Sequence, residues 1–236
     1  MNEFEKYYRE KLYPLQNGVL KVVADLKTPF FLSGGTALSR YYYNHRYSDD
    51  LDLFVNSEEN YPSYIESVLS ALTDPEKTAG FYLNLNSILR GVQYTRFDIT
   101  TKKYPNVDLR IEMINDIDKH YGGFNYHKTL GKIDSWQNIL SNKLTALFRN
   151  EPKDVVDIFT ISRHQQFNWK KLVNEAKSKE AGAEPDVFYE LLLSFPEQYL
   201  NEIRWIEKPD KKYFMKNIKM IADDIFYGRD NSTGSQ

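Results

Sequence analysis

The sequence predicts an α+β fold, with a small mixed sheet in the first half of the chain and helices in the second half. Alternating apolar and polar residues at 50–55 and 107–113 indicate two strands that each bury one face. From residue 135 onward, apolar residues recur at spacings of three and four, which is typical of amphipathic helices. We therefore predict two domains, residues 1–116 and 117–229, followed by a disordered tail at 230–236.

Composition narrows the classes of function that this chain can have. Its 236 residues are 41% hydrophobic and 27% charged, as expected of a folded globular protein. The absence of Cys excludes disulfides, thiolate zinc sites and cysteine nucleophiles. Because there is no signal peptide or long apolar run, we expect a cytoplasmic protein without a membrane partner. The net charge of -2 requires any nucleic-acid partner to bind a local basic patch.

The predicted elements follow in chain order from these patterns. Helical spacing covers residues 3–27 and is interrupted near Pro14. Residues 29–33 form a short buried strand, a turn follows at Gly34 and Gly35, and a helix begins at Thr36. After the strand at 50–55 we predict a helix at 61–72 and a strand pair within 81–100. The later helices are predicted at 135–149, 152–163, 169–179, 185–194 and 211–226.

Asp50 and Asp52 are the first candidates for chemistry. They are two residues apart on a predicted strand, so their side chains project from the same face. Two carboxylates held this close repel each other unless a cation lies between them, and oxygen ligands of this kind suit Mg²⁺, with Mn²⁺ as the alternative. The competing interpretation is a solvated sheet face. We expect Asp49 to face away from Asp50 or to end the loop, and not to hold the metal.

The glycine pair before these acids predicts a phosphate-binding turn. Without Cβ atoms, Gly34 and Gly35 let a phosphate approach the backbone, and the following helix contributes unpaired N–H groups. Ser33 and Thr36 add hydroxyl donors. The alternative is an ordinary turn in which Thr36 caps the helix.

A third acid is needed if bound metal is to activate an attacking hydroxyl as well as hold phosphates. Asp108, on the polar face of the strand at 107–113, is the first choice. Glu112 lies four residues along the same face and is the alternative.

The second half contains one charged helical hairpin. Lys143 lies on the first helix and Arg149 near its end, while Asp154 and Asp157 share a face of the next helix. In one interpretation these residues form structural ion pairs. In the other, the acids hold Lys143 in position to neutralise phosphate charge in the transition state.

Three segments in this order, GGTAL…HRYSDDLDLF, VDL and ILSNKLTALFRNEPKDVVDIF, resemble the AbiEii/AbiGii-type nucleotidyltransferase toxins of type IV toxin-antitoxin and abortive-infection systems. That family belongs to the DNA-polymerase-β-like nucleotidyltransferases. The resemblance implies an N-terminal nucleotidyltransferase core with a small mixed sheet and a C-terminal helical domain that completes the active site.

The resemblance also implies a role for each matching position. The residues expected to contact the nucleotide are Ser33, Gly34, Gly35, Thr36, Arg46, Ser48, Arg149 and Asp154. The residues expected to bind metal are Asp50, Asp52 and Asp108, and those expected to act in catalysis are these three acids with Lys143 and Asp157.

These expectations together predict an Mg²⁺-dependent transfer of a nucleoside monophosphate from an NTP to an acceptor hydroxyl. The acceptor would be the 3′ end of a tRNA or a protein side chain, and a cognate antitoxin would be a partner. The alternative is a module of the same fold that binds an NTP or a partner without chemistry.

Overall fold

A computed structural model of the chain describes residues 3–78 and 80–233. The chain divides into two compact units, each assembled from three segments. The first, called the sheet unit here, comprises Met1–Ala37, Ser48–Ile117 and Phe124–Asp134. The second, called the helical unit, comprises Leu38–Tyr47, Asp118–Gly123 and Ser135–Gln236.

The sheet unit contains a mixed sheet and its covering helices. Its strands are β1 (Phe31–Leu32), β2 (Leu51–Asn56), β3 (Phe81–Arg90), β4 (Tyr94–Thr101), β5 (Tyr104–Asp116), β6 (Asn125–His127) and β7 (Gly131–Ile133). Its helices are α1 (Glu3–Tyr7), a π-helical turn (Tyr8–Leu12), α2 (Tyr13–Asp25), α3 (Gly34–Ala37), α4 (Tyr61–Leu72) and α5 (Pro75–Thr78).

The strands form one sheet in the order β3-β4-β5-β2-β1-β7-β6. The β2–β5 and β1–β7 pairs are parallel, and the other neighbouring strands are antiparallel. Along β2 the buried residues Leu51, Leu53 and Val55 alternate with half-buried Asp52 and Phe54. This alternation confirms the predicted strand and places the Asp52 side chain on the face opposite the apolar core residues.

The helical unit buries its apolar residues between long helices. Its elements are a π-helical segment (Leu38–Tyr43), α6 (Trp136–Ala146), a 3₁₀ turn (Leu147–Arg149), α7 (Pro152–His164), α8 (Trp169–Lys177), α9 (Pro185–Leu193), a 3₁₀ turn (Glu197–Asn201) and α10 (Lys211–Tyr227). The rings of Phe159 and Phe214 lie 4.5 Å apart between centroids and join α7 to α10. Side chains of Ser135, Asn168 and Asp210 cap the N-termini of α6, α8 and α10.

The observed architecture confirms the predicted α+β class and differs from the predicted domain borders. The division predicted at residue 116 matches one of the points where the chain passes between units, but β6 and β7 return to the sheet unit. Their strands have three residues each, which is too short for an alternating pattern to be read from sequence.

Residues 230–233, within the predicted disordered tail, make hydrogen bonds to the helical unit. Asn231 and Thr233 are buried, and the Asn231 amide donates hydrogen bonds to the carbonyl oxygens of Ser162, at 2.6 Å, and Gln165, at 2.8 Å. These carbonyls lie at the C-terminal end of α7, where helix acceptors need partners from outside the helix. Residues 234–236 lie outside the described residues. Across the part of the chain that is described, no helix has the length and apolar character required to span a membrane.

Candidate functional site

The predicted turn at Gly34 and Gly35 is the start of α3, which begins at Gly34 rather than at the predicted Thr36, and it packs directly on the acidic strand within the sheet unit. Gly34 has a φ of 64°, in the left-handed region that glycine favours. A Cβ atom at this position would lie 3.1 Å from Asp52 Cγ and closer still to its Oδ2. The backbone N–H of Ser33 donates to the Asp52 carbonyl at 2.9 Å, and the Thr36 hydroxyl donates to the Asp50 carbonyl. The turn and the acids therefore form one local structure.

Asp49, which precedes the acid pair, is hydrogen-bonded to the N-terminal helical segment. Its carboxylate accepts a hydrogen bond of 2.5 Å from the hydroxyl of Tyr8, which is fully buried. The amide of Gln16 donates to the backbone carbonyls of Ser48 and Asp49, so the N-terminal helix fixes the loop that leads into β2. Asp50 and Asp52 are half-buried.

The strand register places Glu112, and not Asp108, beside the acid pair. Asp52 and Glu112 are direct partners in the parallel β2–β5 ladder, so their side chains lie on the same face about 5 Å apart at the backbone. Asp108 is exposed and lies four residues earlier on β5, about 13 Å away along the strand. Glu112 also accepts a hydrogen bond of 3.1 Å from Tyr94. Burial, together with this carboxylate, raises the pKa of Tyr94.

Within the described ranges, no group of three or more Asp, Glu or His residues has the arrangement of a preformed metal cluster. Asp52 and Glu112, which are register partners on one face, therefore form an open pair of carboxylates rather than a closed set of ligands. An open set of this kind is typical of Mg²⁺, which retains waters and takes other ligands from substrate phosphates.

Asp134 is a residue of this region that sequence reasoning missed. It is fully buried and follows β7, whose Ile133 pairs with Leu32 of β1. Its Oδ2 accepts a hydrogen bond of 2.6 Å from the Ser33 hydroxyl. The Ser33 hydroxyl therefore donates its proton to Asp134 and holds the turn in place. Sequence reasoning missed Asp134 because no local pattern links two residues that are 101 positions apart.

The charged hairpin of the helical unit is closely paired. The ammonium of Lys143 lies 2.6 Å from an Asp154 oxygen and 2.8 Å from an Asp157 oxygen. Arg149, whose side chain is 66% exposed, reaches the other oxygen of Asp154 at 3.2 Å. The predicted pairing of Lys143 with these acids is therefore present, and the lysine is itself buried.

Arg46 completes this network within the helical unit. Its guanidinium binds Asp157 through two hydrogen bonds of 2.8 Å, and His45 Nε2 lies 2.8 Å from the same carboxylate. Sequence reasoning also missed His45, which shows no metal-ligand spacing. A bidentate Arg–carboxylate pair fixes both position and orientation.

Electrostatics keep this network ionised. Burial opposes the charge of Asp157, but the positive charges of Arg46 and Lys143 outweigh it and hold the Asp157 pKa well below its usual value. Burial likewise opposes the charge of Lys143, but Asp157 and Asp154 raise its pKa. Burial lowers the pKa of His45, and its Nε2 lies 2.8 Å from the Asp157 carboxylate, which can only accept a hydrogen bond. Two buried cations thus balance two buried carboxylates.

Each unit, taken by itself, brings together some of the predicted residues. The sheet unit brings together Ser33, Gly34, Thr36, Asp50 and Asp52, with Glu112 beside them. The helical unit brings together Arg46, Lys143, Arg149, Asp154 and Asp157. Ser48 contributes a backbone carbonyl to Gln16.

Known proteins resemble this chain over most of its length. A protein of Aquifex aeolicus (strain VF5) is 23% identical over 220 residues, covering 91% of this chain and 99% of that protein. The crystal structure of JHP933 from Helicobacter pylori matches with a TM-score of 0.58 at 24% identity, over 92% of this chain and 90% of that one.

A third similar structure is MenT4, a nucleotidyltransferase toxin from Mycobacterium tuberculosis H37Rv. It matches with a TM-score of 0.63 at 13% identity, over 90% of this chain and 83% of that one. Residues 20–231 match the family described as nucleotidyl transferase AbiEii toxin, type IV TA system. The chain therefore belongs to the AbiEii family of nucleotidyltransferase toxins.

Proposed function

We propose that this protein transfers a nucleoside monophosphate from an NTP to an acceptor hydroxyl, with Mg²⁺ held by acids of the sheet unit. The observation that carries the proposal is the contact between Gly34 and Asp52. Because any Cβ at position 34 would occupy the space of the Asp52 carboxylate, the turn and the acid can only be this close with glycine present. A phosphate lying against the turn would be beside that carboxylate.

The metal would be held by Asp52 and Glu112 on adjacent strands, with Asp50 and the substrate phosphates supplying further oxygen ligands on binding. We propose Glu112 in place of the predicted Asp108, because Glu112 is the register partner of Asp52 and Asp108 is exposed four residues away. When bound, Mg²⁺ would supply charge neutralisation of the phosphates and acidify the acceptor hydroxyl.

The chain's own residues would position the substrate. Gly35 would let the phosphates approach the backbone, and Gly34 leaves room for the Asp52 carboxylate. Ser33 and Thr36 hold the turn through Asp134 and the Asp50 carbonyl. The charge-neutralising role of Lys143 stays a prediction, because its ammonium already lies between two carboxylates.

The acceptor and the biological partner are proposals from the family. A toxin of this family would act on the 3′ end of a tRNA or on a protein hydroxyl, and a cognate antitoxin would oppose it. A second candidate function, NTP binding without transfer, is supported by the lack of a preformed three-residue metal group in the part of the chain described.

The decisive experiment incubates the protein with labelled NTPs, Mg²⁺ and either total tRNA or protein acceptors. The wild type should label one acceptor class, and Asp50→Ala/Asp52→Ala should label none. Glu112→Gln should reduce the rate by about 100-fold or more, on the scale of losing a metal-site group. Asp108→Asn, an exposed change on the same strand, is the matched control and should leave the rate within about threefold.

Far-ultraviolet circular dichroism of every variant would show that each is folded. If no NTP labels either acceptor class, or if the double variant labels as well as the wild type, the transferase proposal fails. Calorimetric NTP binding that survives in Asp50→Ala/Asp52→Ala would then favour the binding module.

A further inference from the structure

A pocket of about 390 Å³ lies wholly within the helical unit and has no part in the function proposed above. Residues from α8, its N-cap and the 118–123 segment line it: Tyr121, Asn168, Lys170, Lys171, Asn174 and Glu175. The pocket combines one aromatic ring, one buried carboxylate and two lysines. This combination restricts the chemistry of what it can bind.

Glu175 is the most informative residue of the pocket. It is only 5% exposed, and its Oε1 accepts a hydrogen bond of 2.6 Å from the Gln137 amide. Its Oε2 is buried and has no hydrogen-bond partner among the described residues. A buried acceptor without a donor is destabilising by roughly 1–3 kcal/mol, so a ligand that supplies a donor would gain that energy.

Tyr121 is held rigidly at the edge of the same pocket. Its backbone N–H donates to Asn138, its carbonyl accepts from the Ser135 hydroxyl, and its own hydroxyl bonds Ser178 at 2.8 Å. The ammonium groups of Lys119 and Lys179 lie 5.3 and 5.4 Å from the ring centroid. Because Lys119 is exposed, it can move aside for a planar ring that stacks on Tyr121.

The surroundings of the pocket are positively charged, although the whole chain is not. The ammonium groups of Lys119, Lys171 and Lys179 all act on Glu175, and Lys170 lines the pocket wall. These four cations disfavour an ammonium or guanidinium ligand for Glu175 and favour a ligand that carries negative charge elsewhere. A ligand that uses all of these groups combines a neutral N–H donor, a planar ring and an anionic group.

We propose that this pocket binds a nucleotide whose base carries an exocyclic amino group. The base stacks on Tyr121, the amino group donates to Glu175 Oε2, and the phosphate lies near Lys170 and Lys171. Cytosine, adenine and guanine have such an amino group. Uracil presents a carbonyl oxygen where cytosine has its amino group, and that oxygen would face the carboxylate oxygen of Glu175.

The nucleotide can be free or can be one residue of a single strand, and the same chemistry serves both. Fluorescence anisotropy with labelled oligocytidylate and oligouridylate of equal length tests the strand, and calorimetry with CMP and UMP tests the free nucleotide. We expect roughly tenfold tighter binding of the cytosine ligand, the value of one hydrogen bond. Glu175→Gln, which can accept or donate, should reduce this preference to about twofold or less.

Substitutions of the lysines separate backbone contacts from base recognition. Lys170→Ala/Lys171→Ala should weaken both oligomers equally and reduce the slope of log affinity against log salt by about 0.7 for each phosphate that is no longer neutralised. Lys216→Ala, an exposed change on α10, is the matched control and should change neither quantity.

These measurements need neither Mg²⁺ nor an NTP, so they do not depend on the proposed transfer reaction. Asp50→Ala/Asp52→Ala should bind cytosine ligands as the wild type does. Binding of CMP assigns the pocket to free nucleotides, and binding of the oligomer alone assigns it to a strand. If neither CMP nor oligocytidylate binds, the proposal is overturned. A preference for cytosine that Glu175→Gln leaves unchanged also overturns it.

Discussion

The contact between the glycine turn and the acidic strand can be tested by adding one methyl group. Gly34→Ala places a Cβ 3.1 Å from Asp52 Cγ and 3.3 Å from its Cβ, inside ordinary carbon–carbon contact distances of about 3.5–4.0 Å. The matched control is Gly131→Ala. Gly131 also has a positive φ, of 77°, but nothing lies within 4 Å of its added Cβ.

Both variants change the free energy of unfolding through backbone strain, and only Gly34→Ala also changes it through packing. Left-handed backbone strains a non-glycine residue by roughly 1–2 kcal/mol, and replacing glycine returns about 0.4–1 kcal/mol through the unfolded state. Gly131→Ala should therefore destabilise by about 1 kcal/mol. Gly34→Ala should lower the free energy of unfolding by about a further 1–3 kcal/mol, because the Asp52 side chain must shift.

Urea denaturation followed by circular dichroism measures both losses. In an Asp52→Ala background, the nearest remaining atom to the new methyl group is the Cβ of residue 52. The additional loss of unfolding free energy caused by Gly34→Ala should therefore be smaller by about 1–3 kcal/mol, and this difference is the coupling energy of the pair. If Gly34→Ala is no more destabilising than Gly131→Ala, or if its effect is the same in both backgrounds, the inferred packing of Gly34 on Asp52 is incorrect.

Three further predictions concern buried polar groups. Asp157→Asn should lower the free energy of unfolding by about 3–5 kcal/mol, since it leaves buried cations without a carboxylate. Arg149→Ala removes a side chain that is 66% exposed and should change the free energy of unfolding by less than about 1 kcal/mol in the same denaturation assay. Because the folded-state pKa of Asp157 is depressed, this carboxylate should stabilise the fold fully above the unfolded pKa of about 3.9, and the stabilisation should be lost as the pH falls below that value. The free energy of unfolding of Asp157→Asn should therefore depend less on acid pH than that of the wild type. An equal dependence in the two proteins would contradict this. Asp134→Ala leaves the Ser33 hydroxyl without its acceptor and should destabilise the protein by roughly 1–3 kcal/mol in thermal denaturation. Asp134→Asn should be closer to the wild type. Equal effects of the two variants would argue against the hydrogen bond.

Local patterns were sufficient wherever a structural feature depends on neighbours in sequence. The helices of the second half were predicted from apolar spacing, and α7 begins at the predicted Pro152. The alternation of residues 50–55 predicted the half-buried strand that the structure shows as β2. Each of these follows from backbone periodicity or from side-chain direction within one element.

The sequence by itself therefore determined the α+β class, the half-buried strand β2 and the helices of the second half. Only the tertiary structure decided that Glu112 rather than Asp108 lies beside Asp52, that Ser33 binds Asp134, and that Arg46 binds Asp157. The physical reason is that these pairs depend on strand register and on contacts between residues 60 or more positions apart. A shift of one residue in register moves every side chain to the other face, and no local pattern fixes which register forms.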